Sequence, residues 1–244
     1  MDYVSAYSSG NEAEVWDRLC AVGSRRDPIL SEALRWVAME AMRRARRNIE
    51  RLIPRWEARG HKFGYDWAGA WDARYVEKAP PLLGNPTAAD LEPLDRYERA
   101  RGPIPISLRA FYEVIGAVNF VGRVASGWPD REILDPLQVE AFSMQLPALL
   151  SEEAWDVVIC PDHLHKYFIS GVDAFTVQSP SPSFDPVLRL DSCDLELDGT
   201  PLTFGRYLRH VILNRGGIGL EAGCNDDAPD PSLVAFLTQG LEPF

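Results

Sequence analysis

The most constraining feature of this chain is a proline-rich corner between two stretches with helical patterns, within residues 91–120. Pro103 and Pro105 cannot lie inside a helix, because proline lacks a backbone N–H and its ring clashes with the preceding turn. Ser107 can cap the second helix and Gly116 can end it. The sequence therefore predicts two short helices that flank a rigid corner. This feature is informative about the fold, but it does not indicate a chemical reaction.

Two amphipathic helices are predicted before this corner. Apolar residues at helical spacing predict a short helix over residues 12–23. Asp27 and Pro28 have the pattern of an N-cap and a first helical position, and they open a long helix with an apolar stripe. The stripe consists of Leu30, Leu34, Val37, Ala41, Ala45, Ile49, Leu52 and Trp56. We expect Pro54 to kink this helix or to end it near Ile53.

The rest of the chain has the pattern of a linker followed by a mixed domain. Residues 63–86 combine glycine and proline with several aromatic residues, so we interpret them as a linker that packs. Thr87 begins a predicted helix with a capping pattern that runs through Tyr97. Short strand-like runs then predict a mostly antiparallel sheet, at 118–124, 139–142, 157–160, 167–170, 175–178 and 187–190. A tight turn at Asp198-Gly199 and a helix over 202–214 follow.

Three segments between residues 91 and 208 resemble the SUKH superfamily. The first is the corner, where Ile104-Pro105-Ile106-Ser107-Leu108 is similar to the family's entry turn between an acidic helix and an aromatic helix ending in glycine. The second is residues 118–122 with the later loop Asp135-Pro136-Leu137, and the third is residues 203–208, similar to the family's closing helix. The resemblance implies an α+β fold at residues 87–244, in which helices flank a mostly antiparallel sheet. Residues 1–62 would then be an N-terminal helical extension.

The resemblance also implies a function in binding rather than in catalysis. Members include the yeast Smi/Knr-type cell-wall regulators and many bacterial immunity proteins, which act mostly by contacting partner proteins. We therefore expect a non-enzymatic module without a cofactor or catalytic residues, of the immunity type that neutralises a toxin by covering its active site. A regulatory scaffold is the alternative in the manner of the fungal relatives. Fold analogy alone does not name the partner.

The charge of the chain is strongly asymmetric. A formal net charge of −11 argues against non-specific binding of nucleic acid by the chain as a whole. Residues 43–62 hold eight Lys or Arg against two acids, whereas residues 156–244 hold thirteen acids against five Lys or Arg. Five arginines recur every four residues, at Arg43, Arg47, Arg51, Arg55 and Arg59. Like charges at this spacing repel, so the series is a solvated face, docks against the acidic C-terminal half, or binds a protein or a nucleic acid.

The candidate partner-binding residues are acidic and aromatic. An acidic face formed by Asp191, Asp194, Glu196 and Asp198 is complementary to the basic active site of a toxin. Trp128 and Phe184 lie in polar, turn-rich segments. They are predicted either as exposed aromatic anchors or as core residues.

One cluster has the composition of a metal or nucleophile site. Cys160, His163 and His165 offer one thiolate and two imidazoles to zinc, although a fourth ligand is missing nearby. A hairpin turn explains the same residues, and a cysteine nucleophile would require an oxyanion hole that the neighbouring sequence does not supply. We therefore predict no metal site.

The sequence further predicts a cytoplasmic protein without a membrane segment. No apolar stretch approaches the twenty or so residues that cross a bilayer, and residues 1–11 lack the pattern of a secretory signal. The four cysteines are widely spaced, as is typical of reduced thiols. The oligomeric state is left open.

Overall fold

A computed structural model describes the chain at residues 2–22, 28–63, 81–82, 84–120, 122–124, 137–151, 156–160, 175–190, 193–219 and 230–244. The helices in the first half are α1 (Tyr3–Ser8), α2 (Glu12–Val22), α3 (Pro28–Ala58), α4 (Ala88–Ala100) and α5 (Ile106–Val114). Those in the second half are α6 (Phe142–Leu150), α7 (Phe204–Arg209) with a π-helical turn (His210–Asn214), and α8 (Pro231–Thr238). The predicted short helix over 12–23 is confirmed as α2.

Helix α3 is 31 residues long and buries the apolar stripe that its spacing predicts. The fully buried members are Leu34, Val37, Ala41, Ala45, Ile49, Leu52 and Trp56. Of the two alternatives predicted at Pro54, the end near Ile53 is wrong, because α3 continues through Pro54 to Ala58. Pro54 is exposed, while Trp56 is buried and donates its Nε1–H to the carbonyl oxygen of Gly216 at 2.8 Å. Tertiary contacts of the last turn therefore outweigh the backbone hydrogen bond that proline removes.

The corner ahead of α5 is built largely as predicted. The capping pattern at Thr87 is confirmed, since the Asp90 carboxylate accepts from the Thr87 backbone N–H at 2.8 Å and from its hydroxyl at 2.7 Å. Helix α4 runs past Tyr97 to Ala100. Gly116 ends α5 with a φ of +81°, a conformation that glycine adopts without strain.

The predicted capping role of Ser107 is wrong. Helix α5 already begins at Ile106, after Pro105, so Ser107 lies inside the first turn. Its side chain is buried and donates to the Asp185 carboxylate at 2.6 Å. A long-range partner has replaced the local cap.

The strands are short and pair in antiparallel ladders throughout the described part of the chain. They are β1 (His61–Phe63), β2 (Val118–Asn119), β3 (Gly122–Val124), β4 (Gln138–Val139), β5 (Asp156–Cys160), β6 (Phe175–Gln178), β7 (Leu188–Leu190), β8 (Cys193–Asp194), β9 (Glu196–Leu197) and β10 (Thr200–Pro201). A four-stranded sheet has the order β5-β6-β7-β8, and three two-stranded ladders join β1 to β3, β2 to β4 and β9 to β10. The predicted α+β class is confirmed.

Two predicted elements differ in type. The strand expected at 139–142 ends at Val139, and Phe142 instead begins α6, where buried Phe142, Leu146 and Leu149 follow helical spacing. The helix expected over 202–214 consists of α7 and the π-helical turn. The strand expected at 167–170 and the loop residues Asp135 and Pro136 lie outside the described residues.

A single hydrophobic cluster connects the N-terminal helices with the sheet and the C-terminal helices. Helix α3 packs along α5, α1 packs on α3, and α8 packs on both α3 and the π-helical turn. The N-terminal helices thus share one core with residues 87–244. Most of the predicted linker, residues 64–80 and 83, lies outside the described residues, but Leu82 forms an isolated bridge with Val118. Within the described ranges, no helix is both long enough and apolar enough to cross a lipid bilayer.

Candidate partner-binding surfaces

The acidic candidates lie on an exposed hairpin at the end of the four-stranded sheet. Asp194 ends β8, Glu196 begins β9, and Asp198 forms the turn to β10 together with Gly199. All three acidic side chains are exposed, and the side chain of Asp194 retains 69% of its accessible surface. Asp198 and Gly199 have φ angles of +54° and +71°, which confirms the predicted tight turn.

Alternation along the chain gives this hairpin one acidic side and one apolar side. Leu195 and Leu197 are half-buried and pack against the core, whereas Asp194 and Glu196 are exposed. Successive residues of a strand point to opposite faces, so the acidic side chains share the outer face. We name Asp194, Glu196 and Asp198 the acidic hairpin. Asp191, the fourth predicted member, lies outside the described residues.

The base of the acidic hairpin is fixed to the rest of the fold. Arg189 on β7 lies 3.3 Å from the Asp194 carboxylate. On the other side, the Arg206 guanidinium on α7 donates to the carbonyl oxygen of Pro201 at 3.0 Å. Arg189 is less exposed than Asp194, so this ion pair anchors the hairpin at its inner end and leaves its tip in solvent.

The arginine series on α3 has different surroundings, because most of it contacts the C-terminal segment. Arg47 donates from Nε and Nη2 to the two carboxylate oxygens of Glu242, each at 3.0 Å. Arg51 donates to the carbonyl oxygen of Gly240 at 3.4 Å. Among the alternatives predicted for the series, Arg47 and Arg51 therefore show internal docking against the C-terminal half.

The same pattern continues to the end of α3. The Arg55 guanidinium donates to the carbonyl oxygen of Leu237, and the Arg59 guanidinium lies over the Phe236 ring, 4.4 Å from its centroid. Arg43, at the start of the series, instead lies 3.5 Å from the carboxylate of Glu40, on its own helix. Four of the five arginines therefore contact residues 236–242.

Pairing with the arginines changes the pKa of the Glu242 carboxylate. The hydrogen bonds from Arg47 and the charges of Arg47, Arg44 and Arg51 lower the pKa of Glu242 below its ordinary value. Its partner responds in the opposite direction, since the hydrogen bonds from Arg47 to Glu242 raise the pKa of Arg47. Both groups are charged at neutral pH, so they attract each other across the contact.

Phe184 is a core residue in this structure. Its side chain is 1% exposed and makes an edge-to-face contact with Trp16, with 4.8 Å between the ring centroids. The core alternative given by the sequence therefore applies, and the exposed-anchor alternative is wrong for this residue. Trp128 lies outside the described residues.

Asp185, which the sequence does not single out, is the centre of a buried polar cluster. Its carboxylate accepts from Trp16 Nε1 at 2.8 Å, from Ser107 Oγ at 2.6 Å and from the Gly205 backbone N–H at 3.0 Å. Burial raises its pKa, and these hydrogen bonds act in the opposite direction. A Cβ at Gly205 would lie 2.3 Å from Trp16 Cζ2, so only glycine allows this close approach. The cluster joins α2, α5 and α7 and has a structural role.

The candidate zinc cluster lies largely outside the described residues. Cys160 is the last residue of β5, while His163 and His165 fall in the undescribed stretch that follows. Elsewhere in the described chain, no group of three or more His, Cys, Asp or Glu has an arrangement that holds a metal ion.

Comparison of the chain with protein-family models, with curated proteins and with solved structures finds no match. The resemblance to the SUKH superfamily therefore stays a prediction that depends on the three sequence segments.

Proposed function

We propose that the protein is a non-enzymatic binding module of the SUKH type, an immunity-type protein that acts in the cytoplasm and neutralises a toxin by covering its active site. The observation that carries the proposal is the acidic hairpin, where Asp194, Glu196 and Asp198 face solvent on a fixed support. A basic active site would be attracted by these charges and would be occupied by the hairpin. No cofactor is required for this action.

The rigidity of the hairpin supports the proposal energetically. Its apolar side packs on the core through Leu195 and Leu197, and its base is held by Arg189 and Arg206. A surface that is already ordered loses little conformational entropy when it binds, so more of the contact energy appears as affinity. Complementary charges also raise the rate of association, with an effect that weakens as salt is added.

The buried cluster around Asp185 supports the assignment of fold type. Ser107 belongs to the segment that resembles the family's entry turn, and Gly205 belongs to the segment that resembles its closing helix. Both donate to the same buried carboxylate, at 2.6 Å and 3.0 Å. Two distant sequence segments that suggest one domain are therefore adjacent in space, as a shared domain requires.

The nucleic-acid alternative lacks comparable support. It requires the arginines of α3, and Arg47, Arg51, Arg55 and Arg59 contact the protein's own C-terminal segment. Phosphates would have to displace these contacts and would also meet a net charge of −11. We therefore retain a protein partner.

Purification of the tagged protein from its native cells tests the proposal. The protein is isolated at moderate salt with nuclease treatment, and proteins recovered in equal amounts are identified by mass spectrometry. The proposal predicts one basic toxin whose activity is abolished at a 1:1 ratio, while polyglutamate of equal charge does not inhibit at that ratio. Recovery of nucleic acid in a parallel purification without nuclease, together with no protein partner in the nuclease-treated one, would contradict the proposal.

A further inference from the structure

The C-terminal residues 240–244 are held by side chains in the manner of a bound peptide. The side-chain amide of Asn48 donates to the carbonyl oxygen of Glu242 at 2.7 Å, and its Oδ1 accepts from the Glu242 backbone N–H at 2.8 Å. Asn48 is fully buried on α3. One amide therefore pairs with both main-chain groups of one residue, as peptide-binding proteins do when they recognise an extended backbone.

The side chains of this segment are recognised as well. Arg47 pairs in a bidentate manner with the Glu242 carboxylate, and Arg44 Nε lies 3.6 Å from the same group. Bidentate guanidinium–carboxylate pairs select for an acidic side chain more sharply than a single hydrogen bond does. This position therefore discriminates by charge and by geometry.

An aromatic site lies two residues further along the segment. The Phe244 side chain is 1% exposed, and the guanidinium of Arg209 lies 5.8 Å from the centroid of its ring. Arg209 Nε donates to the carbonyl oxygen of Phe244, and the same guanidinium lies 5.3 Å from the centroid of Trp16. We name the surface formed by Arg47, Asn48 and Arg209 the tail groove.

The tail groove is separate from the contacts that hold α8. Leu233 and Leu237 bury α8 in the core, and Asp230 caps its first turn by accepting from the Ser232 N–H at 2.8 Å. Gly240 follows α8 with a φ of +65°, a conformation that is common just after the end of a helix. None of the contacts of Glu242 or Phe244 requires covalent attachment to α8.

We propose that the tail groove is a peptide-binding site, which the protein's own residues 240–244 occupy as an internal ligand. It accepts in trans a partner segment with an acidic residue and, two residues later, an aromatic residue. Asn48 pairs with the main chain, Arg47 with the acidic side chain and Arg209 with the aromatic residue. The internal segment competes at an effective concentration in the millimolar range or above, about that of short flexible linkers. Binding in trans therefore occurs when the internal segment is weakened or outcompeted. This proposal does not depend on the acidic hairpin.

A fluorescence-anisotropy titration of the full chain tests the proposal. The probe is a labelled peptide with the sequence of residues 238–244. The protein carries Glu242→Lys, which places a cation against Arg47 and Arg44 and so weakens the internal segment as a competitor. We expect the probe to bind this variant at least about tenfold more tightly than it binds the wild type. Adding Arg47→Ala should weaken binding by about tenfold, because it removes a charge-assisted pair. Adding Arg43→Ala, a change on the same helix outside the groove, should alter the Kd by less than about twofold.

Circular dichroism establishes that each variant is folded. Glu242→Gln replaces Glu242→Lys if the latter does not fold, with an expected gain in probe affinity of about twofold because it weakens the internal segment less. Absence of probe binding to the folded variant would overturn the proposal. Equal binding of a probe with lysine at the glutamate position would also overturn it, because the site would then not read charge. A wild-type dimer that Arg47→Ala separates into monomers would overturn the partner assignment, since a second copy would then occupy the groove.

Discussion

The arginines of α3 and the acidic hairpin are two strongly charged regions with different surroundings. Most of the arginines contact other parts of the protein, whereas the acidic side chains of the hairpin are exposed to solvent. Arg47 is paired with Glu242 through two hydrogen bonds, and Arg51, Arg55 and Arg59 also contact the C-terminal segment. The acidic hairpin has only Asp194 near a basic side chain among the ion pairs described, and that pair is at its base. Charge density in a sequence therefore does not identify a binding surface until the internal partners are known.

We expect the contacts between α3 and the C-terminal segment to contribute to the free energy of unfolding, and the charges of the acidic hairpin to contribute little. The largest expected effect follows Phe244→Ala, which empties a buried aromatic site under Arg209. We expect a loss of about 3 kcal/mol in the free energy of unfolding, measured by urea denaturation. Met144→Ala is the matched control, because Met144 is 61% exposed and its truncation should cost less than about 0.5 kcal/mol. Equal effects would mean that Phe244 is not part of the core.

Removal of one arginine from the series should have a smaller effect. Arg47→Ala deletes the bidentate pair with Glu242, but both side chains are partly exposed and solvent screens them. We expect a loss of about 1 kcal/mol in the same denaturation assay. Arg43→Ala should change stability by less than about 0.5 kcal/mol, because Arg43 pairs only with Glu40 on its own helix among the ion pairs described. A larger loss of stability for Arg43→Ala than for Arg47→Ala would contradict the conclusion that Arg47, and not Arg43, docks against the C-terminal segment.

The pair should also make stability depend on pH in the acidic range. The pKa of Glu242 is lowered in the folded protein, so the folded state favours the ionised carboxylate. Its stabilising contribution is present above the ordinary glutamate pKa and is lost as pH falls through the lowered value. The difference in unfolding free energy between wild type and Glu242→Gln, about 0.5 kcal/mol at neutral pH, should therefore shrink below about pH 4. A difference that grows on acidification would contradict this sign.

The smallest effect on stability is expected for the acidic hairpin. Replacing Asp194, Glu196 and Asp198 together by their amides (Asp194→Asn, Glu196→Gln and Asp198→Asn) should change the free energy of unfolding by less than about 0.5 kcal/mol. These side chains are exposed, an amide at position 194 can still accept from Arg189, and asparagine tolerates the positive φ of residue 198. Thermal denaturation followed by circular dichroism measures this change. A destabilisation as large as that of Phe244→Ala would give the hairpin charges a structural role.

Local signals in the sequence predicted several elements closely. The helical spacing before Gly23 gave α2 within one residue, and Thr87 with Asp90 gave the start of α4. Gly116 and Asp198-Gly199 gave the end of α5 and the hairpin turn. Each of these signals depends on residues within one or two turns of chain, which is the range over which sequence patterns act.

The predictions that were wrong failed because the structure at those positions depends on residues that are distant in the sequence. The last turn of α3 persists beyond Pro54 through the contact of Trp56 with Gly216, and Ser107 binds Asp185 rather than capping α5. The alternative left open at Phe184 was also decided by a distant residue, because this side chain is buried beside Trp16. A single sequence does not reveal such pairings.

The candidate surfaces show the same division. The acidic hairpin could be found from the alternation of acids and leucines next to a turn, and its exposure follows from that pattern. The tail groove was missed, although the opposite charges of the arginine series and of residues 156–244 made internal docking one of the alternatives. Nothing local indicates that Asn48 faces the main chain of Glu242, 194 residues away.

We propose that the acidic hairpin binds the partner, and that the overall negative charge of the chain does not explain the binding. The most direct test measures the Kd of the captured partner for two variants with the same change in net charge. One replaces Asp194, Glu196 and Asp198 by their amides, and the other replaces three exposed glutamates elsewhere, Glu32, Glu57 and Glu92, by glutamine. We predict that the hairpin variant loses at least about 100-fold in affinity, whereas the control changes by only a few-fold. Equal losses in the two variants, or full binding by the hairpin variant, would contradict the account.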